Sequence, residues 1–182
     1  MTVRVRLLGR PSVEPHPGRP LHPPRGRKSW ALLARIALAD RPLTRGELAA
    51  ELFPETDDPA GSLRWGLADL RRSLGLSQLL RGDRLRLTRA DLWFDVWALE
   101  DQKLPYGEIG GALLDGIVLR DCPEFDLWLL MARSHYGLRS DSELRNQALE
   151  HLANGRLTDA VGAAERAASC LLYTSPSPRD RS

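Results

Sequence analysis

Apolar and polar residues alternate at two different spacings near the start of the chain. Val3 to Leu8 alternates mainly apolar with basic side chains, and a Gly/Pro turn separates this run from Ser12 to Glu14. A period of two is typical of half-buried strands, so the pattern predicts short antiparallel strands. From Lys28 to Leu38 the apolar residues recur at helical spacing, which predicts a first helix.

Two further helices are marked by start and stop signals. Thr44 and Glu47 form a capping box, and Pro54 ends the second helix. Asp58 caps a third helix that begins at Pro59, and a glycine follows its end. Four leucines of this third helix fall on one face that we expect to be buried: Leu63, Leu67, Leu70 and Leu74.

The face of the third helix opposite these leucines is basic and aromatic. A helix turns by about 100° per residue, so the direction of each side chain follows from its number. Four residues are predicted to point away from the leucines: Trp65, Ala68, Asp69 and Arg72. Arg64 and Arg71 lie along one flank. This face is therefore left for solvent or for a partner.

An arginine-rich turn follows the third helix. Residues 79–87 contain two short apolar runs around Gly82-Asp83, a dipeptide suited to tight hairpin turns. Arg81 and Arg84 flank this dipeptide. We therefore predict a β-hairpin with an arginine tip over residues 79–87.

The remaining chain changes from strand-like to helical patterns. Residues 92–96 predict another strand, and Asp95 is expected to cap a short helix. Residues 102–122 hold Pro and Gly but no long apolar pattern, so we interpret them as a linker. Three apolar stripes at helical spacing follow Pro123, and an Asn-Gly dipeptide at 154–155 separates the last two. Such a pair of helices is typical of stacked helical repeats.

The net charge of the chain changes sign near the start of this predicted linker. Residues 1–100 carry 17 Lys/Arg against 12 Asp/Glu, whereas residues 101–182 carry 9 against 12. The net charge of +2 thus combines +5 and −3. This asymmetry either favours a polyanionic partner for the first half or arises by chance.

Composition excludes several classes of protein. No apolar run reaches the roughly 18 residues of a membrane span, and Met1 to Leu8 lacks the pattern of a secretory signal, so a cytoplasmic protein is expected. Cys122 and Cys170 are too few for a disulfide framework or a zinc cluster. The four histidines lie far apart, and no phosphate loop or nucleophile elbow occurs. We predict no enzyme activity, no cofactor and no metal site.

Strands, three helices and a hairpin, in that order, describe a winged helix-turn-helix that binds double-stranded DNA. The helix over residues 59–74 would enter the major groove, and the hairpin over 79–87 would meet the minor groove or the backbone. The candidate DNA-binding residues are Arg25, Lys28, Arg64, Trp65, Ala68, Asp69, Arg71, Arg72, Arg81 and Arg84. Simpler roles stay open, because charged side chains often only face solvent or protect a sheet edge, and Trp65 could pack against a neighbouring element.

Several stretches resemble regulators in which an OmpR-like winged helix precedes a bacterial transcriptional activator domain, as in the Streptomyces antibiotic regulatory proteins. The resemblance extends through about Ala168, and its motifs are PRGRK at 24–28, LTRGEL at 43–48, SLRWGLADLRRSLG at 62–75, LLDG at 113–116 and PEFDLWL at 123–129. Two residues depart from the family pattern. Ala68 and Asp69 stand where a basic or hydroxyl pair is common, which puts affinity and the role of Asp69 in doubt.

The resemblance implies an α+β winged helix-turn-helix over residues 1–101 and, after the linker, an all-α TPR-like helical domain that starts at residues 123–169. It implies sequence-specific DNA binding through the third helix. It also implies that the helical domain makes dimer or partner contacts, such as a contact with RNA polymerase.

The last stretch, residues 170–182, breaks the helical pattern. It resembles a translated sequencing adapter, which would make the chain a C-terminally truncated regulator. Further helical repeats or an ATPase domain would then follow. A disordered native tail is the alternative, since Pro, Ser and Arg dominate it.

Two functions from different classes remain. The first is a DNA-binding transcription regulator, favoured by the charge of the first half and by the arginine hairpin. The second is a protein-interaction scaffold that retains a winged helix without DNA affinity, slightly favoured by Gly66 and Asp69 in the third helix.

Overall fold

A computed structural model describes residues 3–14, 21–75, 78, 80–90 and 92–174. It is a mixed α/β structure with two small sheets and six α-helices among these residues. Leu79 of the predicted hairpin and residues 175–182 of the predicted tail lie outside the described residues.

The first sheet joins the start of the chain to a strand near residue 93. Strand β1 (Val3–Arg6) pairs antiparallel with β2 (Ser12–Val13), which confirms the predicted antiparallel strands. On its other side β1 pairs in parallel with a strand at Leu92–Phe94, numbered β5 in chain order. Val3 and Val5 point into the core from the centre of this sheet.

Three helices follow with the predicted starts. Helix α1 covers Arg27–Ala37, α2 covers Arg45–Leu52, and α3 covers Pro59–Ser73. Both halves of the predicted Thr44–Glu47 capping box are present. The Asp58 side chain accepts a hydrogen bond of 2.7 Å from the Gly61 amide, as expected for a cap. All four leucines of the α3 stripe are buried.

The strand pairing predicted for residues 79–87 is wrong. Strand β3 (Leu43–Thr44) pairs antiparallel with β4 (Arg84–Leu85), so the partner of β4 lies ahead of α2. Gly82 has φ 80°, which fits a tight turn at the predicted place. A turn dipeptide predicts where the chain reverses, but any adjacent strand can satisfy the backbone hydrogen bonds that follow.

Asp95 is not the cap of its helix. Helix α4 covers Asp95–Glu100, and Phe94 occupies the cap position. The buried Asp95 carboxylate accepts from the backbone amides of Leu7 and Leu8, at 2.8 and 2.9 Å, as well as from that of Val96 in its own helix, at 2.8 Å. The residue therefore fastens the end of β1 to the start of α4.

Residues 102–122, for which the sequence predicts a linker, are packed. They contain a short 3₁₀ helix at Tyr106–Glu108, and an isolated bridge joins Leu8 to Leu113. Their buried apolar side chains are Leu104, Ile109, Leu113, Leu114, Ile117 and Leu119. The division of the chain into domains at this stretch stays a prediction.

The helical part forms a hairpin of two long helices. Helix α5 covers Pro123–Ala153 in 31 residues, and α6 covers Leu157–Thr174. The first two predicted helical stripes thus belong to one continuous helix, because no Gly or Pro interrupts residues 138–144. The predicted Asn-Gly break is present, and Gly155 has φ 72°. The backbone of α6 continues past residue 170, where its pattern was expected to end.

Candidate nucleic-acid interface

The outer face of α3 is exposed and basic. Trp65 is 74% exposed, Arg64 and Arg72 are exposed, and Ala68 is half-buried between them. The Arg64 guanidinium lies 3.4 Å from the Asp58 carboxylate, in an ion pair that is open to solvent. Such a pair contributes little to stability, so Arg64 is able to turn towards a partner.

Asp69 does not share this exposed face, so the direction predicted for it is wrong. It is buried, and its carboxylate accepts a hydrogen bond of 2.8 Å from the Arg25 backbone amide. Helical periodicity gives the direction of a side chain, but the chain segment ahead of α1 covers this edge of α3. Asp69 holds that segment in place, and this accounts for an acidic residue in an otherwise basic helix face.

A basic groove lies between α3 and the start of α1. It is an open depression of about 640 Å³, and its cationic lining residues are Arg25, Arg27, Lys28, Arg72 and Arg120. Trp65 and Val118 contribute exposed apolar surface, and Gly66 lies in its floor. We call this depression the basic groove.

Lys28 and Arg25 are held at the basic groove by different contacts. The Lys28 ammonium lies 4.8 Å from the centre of the Phe53 ring, within the range of a cation–π interaction. Arg25 uses its backbone amide to bind Asp69, while its side chain is exposed. Both positively charged groups are therefore placed at the surface by the fold.

The arginine-rich turn lies along the opposite flank of α3. Arg45 donates to the Gly82 carbonyl at 2.7 Å and to the Leu80 carbonyl at 3.4 Å. Arg71 also donates to the Leu80 carbonyl, at 3.4 Å, so this predicted DNA-binding residue holds the turn against α3. Arg81 and Arg84 are exposed on the turn and on β4.

The structure thus places the candidate residues in three adjoining groups. Arg64, Trp65, Ala68 and Arg72 form the exposed face of α3, Arg25 and Lys28 line the basic groove on one flank, and Arg71, Arg81 and Arg84 belong to the other flank. Arg27 and Arg120 were missed. Arg27 lies inside the PRGRK motif and was within reach of sequence reasoning, whereas no periodicity relates Arg120 to α3.

The described residues contain no group of three or more His, Cys, Asp and Glu side chains that could hold a metal ion. Within that same part of the chain, no helix is both long and apolar enough to span a bilayer. The exposed groups at this surface are guanidinium, ammonium and indole groups, which bind anions and flat or apolar surfaces.

Comparison with solved structures gives one informative likeness. The chain is similar in fold to Mycobacterium tuberculosis EmbR, solved in complex with a low affinity phosphopeptide, with a TM-score of 0.51 and 18% sequence identity. The superposition covers 93% of this chain but 57% of the EmbR chain. At this identity the likeness concerns the fold alone. It agrees, at a coarse level, with the predicted order of a mixed α/β part followed by a helical part.

No family model matches the sequence, and no curated protein matches it.

Proposed function

We propose that this chain is a DNA-binding transcriptional regulator whose α3 enters the major groove of double-stranded DNA. The observation that carries the proposal is the arrangement around α3. Its exposed Arg64, Trp65 and Arg72 are flanked by the basic groove on one side and by the arginine-rich turn on the other. On this proposal α3 is the recognition helix of a winged helix-turn-helix, and β4 with the turn before it acts as the wing.

The dimensions and chemistry of α3 suit this role. An α-helix with its side chains is about 10–12 Å across and fits a major groove about 12 Å wide. Arg64 and Arg72 are able to pair with guanine edges or phosphates, and the flanking cations meet the backbone on either side. Asp69 takes no part in this contact, because its carboxylate is engaged with Arg25.

The helical part is proposed to make protein contacts in the regulator. Six large apolar side chains of α5 are more than half exposed: Leu127, Leu130, Met131, Leu138, Leu149 and Leu152. A stripe of this size is unusual on a surface that faces only water. The family resemblance implies two partners for these contacts: a second copy of the chain, in a homodimer, and RNA polymerase. The same stripe is the observation that favours the scaffold function as a second candidate.

The test is DNA binding by the intact chain, measured by fluorescence anisotropy with random-sequence duplex DNA. Arg72→Ala removes an exposed cation from the outer face of α3, and we expect it to weaken binding roughly tenfold at 0.1 M salt. Arg156→Ala is the matched control, because Arg156 is equally a surface arginine but lies in the turn between α5 and α6. Equal affinity of the two variants would refute binding through α3 and would favour the scaffold function.

A further inference from the structure

We infer that the segment 118–120, which lies outside the first hundred residues, forms part of the DNA-binding surface, and that Arg120 contacts the DNA backbone. This inference rests on the proposed function. It extends the interface beyond the winged helix to the segment that leads into α5.

The segment 118–120 forms one wall of the basic groove. Val118, Leu119 and Arg120 line the basic groove together with the α1 start and with Trp65 and Arg72 of α3. DNA that meets the outer face of α3 therefore passes along the wall that this segment forms. Val118 is 63% exposed, and Arg120 is also exposed.

The charges that line the basic groove also favour a polyanionic partner. The basic groove is lined by five cationic side chains and by one carboxylate, that of Asp69, which is occupied by the Arg25 amide. Within the described part of the chain, no ion pair joins Arg120 or Arg72 to an acidic residue. Asp121 follows Arg120 directly in the chain and Asp126 lies in the first turn of α5, so these two carboxylates reduce the positive charge there without cancelling that of the five cations. Phosphates of a nucleic-acid backbone fit such a charge distribution.

The backbone around Arg120 is held in place by its neighbours. Leu119 and Cys122 are buried on either side of Arg120, and the Cys122 thiol donates to the Leu52 carbonyl at 3.4 Å. Arg133 of α5 donates to the Leu114 carbonyl at 2.9 Å and to the Ile117 carbonyl at 3.5 Å, which holds the chain just ahead of the segment. A cation on a fixed backbone loses less entropy on binding than one on a mobile chain.

The shape of the groove favours a polymer over a small molecule. The depression is open to solvent, and four of its five cationic side chains are exposed: Arg25, Arg27, Arg72 and Arg120. Small-molecule sites are usually enclosed and bury most of the ligand surface. An extended phosphate backbone needs only a charged track, with apolar surface such as Trp65 and Val118 for its sugars.

The experiment measures random-duplex binding by the intact chain over a salt series, with Arg120→Ala, Arg120→Lys, Arg72→Ala and Arg156→Ala. Loss of one phosphate contact lowers the salt slope by about 0.9 and the affinity roughly tenfold at 0.1 M salt. We expect this from Arg120→Ala, with substantial rescue by Arg120→Lys and no change from Arg156→Ala. Thermal unfolding of each variant checks that the exposed substitutions leave the fold intact.

A second variant is expected to bind DNA more tightly, and a loss of folding could not produce that result. Val118→Lys adds a cation to the basic groove, so we expect tighter binding and a steeper salt slope. Val161→Lys is the matched control, because Val161 is 57% exposed but lies on α6.

The outcomes separate the inference from the proposed function. If Arg72→Ala weakens binding while Arg120→Ala behaves like Arg156→Ala and Val118→Lys like Val161→Lys, the inference is overturned and the proposed function stands. If the unmodified chain does not bind duplex DNA at low salt, both are overturned. Weakening by Arg120→Ala together with strengthening by Val118→Lys supports the inference.

Discussion

At the residue scale, Gly66 sets the distance between α1 and α3. A Cβ atom at this position would lie 3.1 Å from a Leu32 methyl group and 3.8 Å from the Phe53 ring. The glycine costs about 1 kcal/mol of helix propensity relative to alanine, but it lets the two helices approach closely. Its presence in the middle of α3 is thus explained by packing and gives no support to the scaffold function.

This explanation predicts different effects for the same substitution at two helical glycines, Gly66 and Gly46. Gly66→Leu should lower the free energy of unfolding by about 1–3 kcal/mol, because the new side chain overpacks the α1–α3 contact. Gly46→Leu is the control, since a Cβ there meets only the Thr44 hydroxyl at 3.9 Å. It should leave stability unchanged or raise it by up to about 1 kcal/mol. Urea unfolding measures both, and equal effects would show that Gly66 is not a packing site.

Helical periodicity predicts the direction of most side chains of α3 correctly, but not that of Asp69. The burial of Leu63 and Leu70 and the exposure of Trp65 follow from helical periodicity, and the structure agrees. Asp69 is buried because a segment more than forty residues earlier in the chain covers it and donates an amide to it. A tertiary contact of this kind leaves no local pattern.

At the element scale, Asp95 links β1 to α4 through a buried carboxylate. Burial raises the pKa of Asp95 from 3.8 to about 6, and the amides of Leu7, Leu8 and Val96 oppose the shift only in part. The folded state therefore binds this proton more tightly than the unfolded state. Between about pH 4 and pH 6 the carboxyl stays protonated in the folded chain while it ionises in the unfolded one.

The sign of the pH dependence follows from this difference. The contribution of Asp95 to the free energy of unfolding should fall as the pH rises from about 4 to 6, by on the order of 2 kcal/mol, and stay constant above that range. Denaturant unfolding of the unmodified chain and of Asp95→Asn at several pH values measures the contribution as a difference. A difference that rises with pH, or does not change, would contradict the raised pKa.

The sequence predicts the starts and ends of helices better than it predicts which strands pair. The capping box of α2 and the Asp-Pro start of α3 act within one turn of chain, so the sequence contains all that decides them. The partner of β4 is β3, and β5 pairs with β1, across long separations that a turn dipeptide cannot encode. In the prediction α5 was divided because polar residues interrupt its apolar stripe: its buried face carries Ser140 and Glu143 between Tyr136 and Leu144.

At the scale of the whole molecule, residues 102–122 connect the two parts of the chain by packing. Leu113 bridges to Leu8, and the Gln147 side chain of α5 donates to the Leu104 carbonyl at 2.8 Å. The apolar residues of this stretch follow neither a period of two nor a helical period, so the sequence pattern indicated a linker. Because the stretch covers part of the first hundred residues, the intact chain is the right material for binding experiments.

The basic groove is a property of the whole molecule as well. The sequence indicated Arg25 and Lys28, near the start of the first helix, and Arg72 on the third as DNA-binding candidates, and the structure brings them to one groove. No sequence pattern indicated Arg120, whose place at this surface depends on contacts of residues 113–122 with Leu52 of α2 and Arg133 of α5. The charge asymmetry of the halves therefore understates the cationic surface beside α3.

The most direct test of the central claim is the salt dependence of duplex binding by the unmodified, intact chain. Fluorescence anisotropy with a random-sequence duplex, from low to physiological salt, gives the affinity at each concentration. If the surface around α3 neutralises DNA phosphates, the logarithm of the binding constant falls linearly with the logarithm of salt concentration, with a slope of about −0.9 per phosphate contact. Absence of binding at low salt, or an affinity that salt does not change, would contradict the claim.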